Sequence, residues 1–252
     1  MNPVLWQIGP VTVYSYGFFL AAGFAAGTYL TAKTAQRCGI AADFVWDLAL
    51  VVCAAALLGA RIGFVLLEWP YYRLHPQEIL RVAEGGLSFH GGLILAVVVG
   101  VWFCRRRRYN PWQMADIVAP AVPLGTAIAR IGCLLNGCCY GYVTDLPIGL
   151  PAALGDPRPR HATQIYAAIL NLALFVYLQR KREHRRFPGY LGLLYLILYS
   201  VLRIVVEIFR ESRVLFGSIK VAQAFSLLVI IGAGLTIHLV EIRRRAKGTF
   251  SD

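Results

Sequence analysis

Apolar residues fill this chain in long continuous blocks, separated by short polar stretches. Seven blocks stand out: Tyr14–Leu30, Leu48–Leu67, Leu87–Cys104, Trp112–Leu135, Thr163–Leu178, Tyr190–Phe209 and Val221–Val240. A helix crosses a bilayer with about 20 mostly apolar residues. The pattern therefore predicts an all-α, polytopic membrane protein with seven transmembrane helices. The blocks are continuous rather than alternating, which argues against a β-barrel. The fourth block carries Asp116, Pro120, Pro123 and Arg130, so its helix is expected to be broken or kinked.

The polar stretches orient the helices. Lys33 and Arg37 follow the first block, Arg105–Arg108 the third, Arg180, Lys181, Arg182, Arg185 and Arg186 the fifth, and Arg243, Arg244, Arg245 and Lys247 the seventh. All of these cations follow odd-numbered blocks, so with seven spans they share one side. Positive charge is retained on the cytoplasmic side. This places the N-terminus outside and the C-terminus in the cytoplasm, as expected of a multi-pass membrane protein. No basic region precedes the first block, so the first helix is expected to stay in place. No soluble stretch interrupts the pattern, and residues 1–252 are expected to form a single transmembrane domain. Two outside segments remain. One covers about 68–86, where Trp69, Tyr71, Tyr72, Arg73 and Arg81 predict an interfacial helix between Glu68 and Glu84. The other is a loop at about 137–162 that carries Arg158 and Arg160.

Composition agrees. The 252 residues are 58% hydrophobic and 15% charged, and the mean hydropathy is +0.60. This excludes a disordered chain, a disulfide miniprotein and an ordinary soluble enzyme. The net charge of +12 would raise nucleic-acid binding in a soluble protein. Here the cations cluster between apolar blocks, and no nucleic-acid partner is expected.

Ten basic residues escape that clustering: Arg61, Arg73, Arg81, Arg130, Arg158, Arg160, Arg203, Arg210, Arg213 and Lys220. Arg61, Arg130, Arg203 and Arg210 lie within or at the ends of apolar blocks. A charge at the bilayer centre costs at least about 2.5–3.5 kcal/mol, so such residues face a bundle interior. Together the four predict a cationic cavity that opens outward. Arg203, Glu207 and Arg210 stand at i, i+4 and i+7, on one helix face. A buried ion-pair ladder is one reading. The other is a phosphate site, since guanidinium binds phosphate oxygens in a bidentate manner. His90 sits between two glycine pairs, Gly85-Gly86 and Gly91-Gly92. Glycines permit close approach of a ligand, and an imidazole can take a proton near neutral pH.

The densest cluster is Ala129-Arg130-Ile131-Gly132-Cys133-Leu134-Leu135-Asn136-Gly137-Cys138-Cys139-Tyr140-Gly141. It resembles the signature of the prolipoprotein diacylglyceryl transferases, Gly-Arg-x-Gly-Asn-Phe-x-Asn-x-Glu-x-x-Gly. Ile8-Gly9-Pro10 with Tyr16-Gly17, Gly59–Gly63, Gly86–Gly92, Arg160–Tyr166 and Tyr199–Arg210 resemble the same family, in order along the chain. The resemblance implies transfer of diacylglyceryl from phosphatidylglycerol to the lipobox cysteine thiol of a preprolipoprotein signal peptide, with release of glycerol 1-phosphate. It assigns catalytic roles to His90, beside the thiol, and to Arg203, at the departing phosphate. Arg130 would bind the headgroup and Glu207 would hold Arg203. Tyr16 and Tyr199 would position lipid or leaving group, Asn136 and Gly141 would shape the loop, and Arg61 and Arg210 would line the cationic cavity. The implied partners are phosphatidylglycerol, the preprolipoprotein and membrane lipids. No cofactor and no metal are assigned.

Two departures matter. Cys133 replaces the signature's Asn and Cys138 its Glu, and Cys139 adds a third thiol. A Cys133–Cys138 disulfide or inert thiols, thiol chemistry, and a metal site all remain open. So do two other readings. One is a paralogue that uses Cys133, Cys138 or Cys139 on another lipid or thiol acceptor. The other is a non-catalytic membrane protein that binds an anionic lipid.

Overall fold

The computed structural model describes all residues except 1, 10, 82–84, 213, 217–218 and 249–252. Pro10, Glu84 and Arg213, named above, lie outside the described residues. The chain is mostly helical. A hairpin of β1 (Val4–Ile8) and β2 (Val11–Tyr14) leads into α1 (Ser15–Arg37). Then come α2 (Ala42–Leu67), α3 (Trp69–Tyr72), α4 (Phe89–Arg106), α5 (Pro111–Val118), α6 (Ala121–Leu135), α7 (Thr163–Lys181) and α8 (Tyr190–Ile208). A second hairpin, β3 (Val214–Phe216) and β4 (Ile219–Lys220), precedes α9 (Val221–Gly248).

All seven apolar blocks are helical. Four helices are long and apolar enough to cross a membrane: α2, α4, α8 and residues Val221–Ala246 of α9. A fifth span is counted if α5 and α6 act together. They bend by 43°, at the place where Asp116, Pro120 and Pro123 predicted a break. Helices α1 and α7 have spanning length but are diluted by polar residues, among them Gln164 and Asn171. The segment after α2 departs from expectation. Among the described residues it holds the one turn of α3 and a 3₁₀ turn at Pro76–Glu78, not a continuous interfacial helix. Pro70 and Pro76 leave too little uninterrupted backbone for one. The N-terminal hairpin went unseen because its strands are short and uncharged.

The chain forms two compact units, residues 31–114 and residues 1–30 with 115–252. In the first, α2 packs on α4 through small residues. A Cβ on Gly59 would lie 2.5 Å from the Gly91 carbonyl oxygen, and one on Gly91 would lie 2.9 Å from the Gly63 Cα. Gly59 and Gly63 are one turn apart, so their gap admits the α4 backbone, as small-xxx-small faces do in membranes. Phe44 stacks on Phe103 at 5.7 Å and closes the other end.

Arg61 projects from the same helix. Its Nε donates to the Ile79 carbonyl (2.8 Å), its Nη2 to that of Glu78 (2.6 Å), and its Nη1 to those of Gly85 (2.9 Å) and Gly86 (3.1 Å). It lies 5.3 Å from the Tyr72 ring centroid and is buried. This arginine therefore ties down the connection between α2 and α4. His90, in the first turn of α4, is exposed.

In the second unit, α6 packs on α7, α7 on α8 and α8 on α9. Leu174 and Leu178 of α7 meet Leu191 of α8 and Ala119 in a buried cluster. Asp116, 1% exposed, accepts backbone N–H groups from Gly189 (2.8 Å) and Gly192 (3.1 Å). It thus caps the N-terminus of α8 from a distance in sequence of over 70 residues, where the helix dipole favours an anion. Gly23 of α1 meets Gly125 of α6, where an added Cβ would sit 2.5 Å from the Gly125 carbonyl oxygen.

Candidate active site

The C-terminal end of α8 carries the candidate site. Arg203 Nη2 lies 2.9 Å from Glu207 Oε2 as an ion pair, which the i, i+4 spacing allows. Glu207 is fully buried, whereas the Arg203 side chain keeps 24% exposure. The Ser212 hydroxyl donates to the other carboxylate oxygen. Arg203 also lies within electrostatic reach of Arg210, Tyr199 and Arg130. Lys220, the last residue of β4 and buried, donates its ammonium protons to the carbonyls of Glu207 and Arg210. The cation at this end offsets the negative end of the helix dipole. The Tyr142 ring lies 4.9 Å from the same ammonium.

The loop at 137–162 is sewn onto this end. Gly141 bridges Arg210, Tyr142 N–H donates to the Phe209 carbonyl (3.0 Å), and Gly141 N–H to that of His161 (2.9 Å). A Cβ on Gly141 would lie 2.7 Å from the His161 Cβ, so no larger residue fits this crossing. Arg160 is buried and bonds Asp156 (2.9 Å), Glu211 (2.8 Å) and the Gly141 carbonyl (3.2 Å), with its guanidinium 4.8 Å from the Tyr140 ring centroid. Hydrogen bonds from Arg158, and then from Arg160, hold the Asp156 carboxyl well below the usual carboxylate range.

The end of α6 supplies the third wall. Asn136 is the C-cap residue, and Gly137 follows with φ +65°. Gly137 N–H donates to the Leu134 carbonyl (3.1 Å) and Cys138 N–H to the Cys133 carbonyl (3.2 Å). This is a Schellman motif, and it folds Cys138 back over the last turn. Cys139 then takes φ +62°. Gln164 Nε2 holds the Cys138 carbonyl at 2.6 Å, and the Thr163 hydroxyl holds that of Cys139. The Cys133, Cys138 and Cys139 sulfurs end within 4.8 Å of one another. All six cysteines are free thiols, so the disulfide considered for Cys133 and Cys138 is not formed. Arg130 Nη1 lies 3.9 Å from Cys133 Sγ. Hydrogen bonds from the other two thiols, with the charges of Arg210 and Arg130, hold the Cys139 thiol below the usual cysteine range. Tyr16 lies within electrostatic reach of the three thiols and Arg130.

One unit thus gathers eight of the ten residues singled out by sequence: Tyr16, Arg130, Asn136, Gly141, Tyr199, Arg203, Glu207 and Arg210. Arg61 and His90 belong to the other unit, and the guanidinium of Arg61 is taken up by backbone carbonyls. Sequence reasoning missed the network of Asp156, Arg160 and Glu211, and the two caps Asp116 and Lys220. Only the i, i+4 spacing of Asp156 and Arg160 was there to be read.

The family profile described as prolipoprotein diacylglyceryl transferase matches residues 3–239. The chain belongs to this family. Among its relatives, phosphatidylglycerol–prolipoprotein diacylglyceryl transferases of Bacillus cereus (strain B4264), Bacillus anthracis (strain A0248) and Bacillus mycoides (strain KBAB4) are each 34% identical to it, over 97% of this chain and 93% of theirs. It is therefore a transferase built of apolar helices in a multi-pass arrangement. In this transferase the signature-like stretch is the C-terminal part of α6 with the turn that follows, where the arginine cluster and the three thiols meet.

Proposed function

We propose that this chain is a phosphatidylglycerol–prolipoprotein diacylglyceryl transferase. The acceptor sulfur attacks the terminal diacylglyceryl carbon, a C–S bond forms, and the C–O bond to phosphate breaks. The electron pair leaves on oxygen as glycerol 1-phosphate, and the thiol proton is lost. The observation that carries the reading is the Arg203–Glu207 pair at 2.9 Å, with Arg130 and Arg210 in electrostatic reach. A phosphate that gains charge as it departs needs such donors already in place, because preorganised dipoles and charges cost no reorganisation at the moment of reaction.

In this reading Arg203 meets the leaving phosphate while Glu207, buried and bonded by Ser212, fixes the guanidinium. Arg130 and Arg210 bind the headgroup, and Tyr16 and Tyr199 position lipid and leaving group. Asn136 and Gly141 set the turn and the loop crossing. The acceptor thiol gives up its proton to water. Arg61 acts only indirectly, through the α2–α4 connection. The lipid and the lipobox of the signal peptide reach the site within the membrane. The seven helical blocks, with α5 and α6 as one, all cross an inner membrane as a single transmembrane domain, N-terminus outside and C-terminus cytoplasmic. The basic residues after odd-numbered blocks support that orientation.

The test is a transfer assay with purified protein, labelled phosphatidylglycerol and a lipobox peptide. Thioether-linked lipopeptide from the wild type, lost in Arg130→Ala and Arg203→Ala, is the expected result. Folded protein that binds phosphatidylglycerol and yields no thioether would overturn it. Cysteine labelling from either side of sealed vesicles, at introduced sites near residues 40 and 145, checks the orientation.

A further inference from the structure

The geometry points to a metal site at the turn after α6: Cys133, Cys138 and Cys139 bind one soft divalent ion of the zinc type as thiolates, and leave a fourth position for the acceptor thiol. The second half of this inference rests on the function proposed above.

Three sulfurs within 4.8 Å of one another are one more than a disulfide uses. In a tetrahedral zinc thiolate, with bonds of about 2.3 Å, the sulfurs stand about 3.8 Å apart. Modest side-chain rotations close that difference. The convergence is built into the backbone. The Schellman turn brings Cys138 over Cys133, and Cys139 holds a left-handed φ that residues with a Cβ adopt at a cost. Gln164 and Thr163 lock the carbonyls on either side. The charges also fit. Three thiolates and a divalent ion carry one net negative charge, and Arg130 stands 3.9 Å from Cys133 Sγ.

Among the described residues no carboxylate or imidazole completes the cluster. Three protein ligands and an open position are the arrangement of a catalytic zinc, whereas structural sites are closed by four. A thiol that enters the open position loses its proton to water and binds as thiolate. Its sulfur keeps a lone pair for the diacylglyceryl carbon. The thioether that results is a poor ligand and leaves. No electron is transferred. Cys133 and Cys138 occupy the places of an amide and a carboxylate in the family signature, so the metal would take over activation of the thiol from groups this chain lacks.

The experiment uses the reduced full chain in lipid nanodiscs and Co²⁺ as the probe. One cobalt per chain with the absorption of a tetrahedral thiolate is expected, in the wild type and equally in C38S/C53S/C104S. C133S/C138S/C139S should fall from one equivalent to none. X-ray absorption of the zinc-loaded wild type, which needs no variant to fold, should count three sulfurs. A lipobox peptide should raise the count to four, and its Cys→Ser counterpart should not. A monodisperse wild type without stoichiometric metal, or cobalt retained by C133S/C138S/C139S, overturns the site. Three sulfurs unchanged by the peptide overturn the acceptor role. Transfer assays on the same samples separate this from the function itself. Full transfer by metal-free C133S/C138S/C139S removes the metal and leaves the transferase, and bound metal without transfer does the reverse.

Discussion

Arg61 and Arg203 both stand inside apolar helices, and a hydropathy plot treats them alike. Their surroundings differ in kind. Arg61 is 7% exposed and donates to four backbone carbonyls between Glu78 and Gly86. Arg203 is held through one nitrogen by a buried carboxylate, and its side chain is 24% exposed. Neutral carbonyls satisfy the guanidinium of Arg61 and spend its directional donors on the chain itself. The carboxylate of Glu207 fixes Arg203 and leaves part of it facing outward. What its donors meet, and not burial alone, distinguishes one arginine inside an apolar helix from another.

The comparison can be broken by experiment. The largest effect is expected for Arg203→Ala, which should lower the rate of transfer by about 100- to 1,000-fold with little change in thermal unfolding. Arg203→Lys should restore little of it, because an ammonium lacks the planar fork. If instead unfolding shifts and turnover per folded molecule does not, Arg203 is structural as well. Arg61→Ala should do the opposite. It leaves several carbonyls without donors, each at a cost of about 1–3 kcal/mol if it stays dry. Thermal unfolding should fall and proteases should cut between residues 78 and 86, while each folded molecule keeps its turnover. Loss of turnover without loss of stability would make Arg61 a substrate ligand.

Gly91→Ala sharpens the same contrast from the packing side. Its Cβ has no room against Gly59 and Gly63, and overpacking of this kind costs about 1–3 kcal/mol. The readout is the midpoint of unfolding in detergent, with a matched Gly232→Ala control in α9, where an added Cβ meets nothing within 4 Å. The smallest effect concerns pH. A thiol held below its usual range is already thiolate at lower pH, so in metal-free protein maleimide labelling of Cys139 should persist as pH falls from 8 to 6, whereas labelling of a free cysteine peptide should decline roughly tenfold per unit. Parallel decline of both would mean that the neighbouring thiols and arginines do not hold Cys139 down.

Much of the architecture was legible from local pattern. The seven helical blocks, the break near Pro120 and the shared face of Arg203 and Glu207 all follow from residues a few positions apart. The hairpin of β1 and β2 was not, because a short uncharged ribbon before an uncharged helix shows no change of period. The loop at 137–162 was legible only as a loop. Its order depends on Arg160 reaching Glu211, 51 residues away, and on Gly141 fitting under His161.

The sequence by itself determined the fold class, the helical blocks and the membership of the signature-like cluster, because side-chain volume, apolarity and helical period act over one or two turns. Only the tertiary structure decided which charges meet. It assigned Arg61 to backbone carbonyls, drew Asp116 and Lys220 into helix caps, and closed three thiols around one point beside Arg130. These outcomes depend on which backbone carbonyls and carboxylates lie a few ångströms from each side chain. That is set by the packing of distant helices and by two left-handed residues after α6, and no local pattern encodes it.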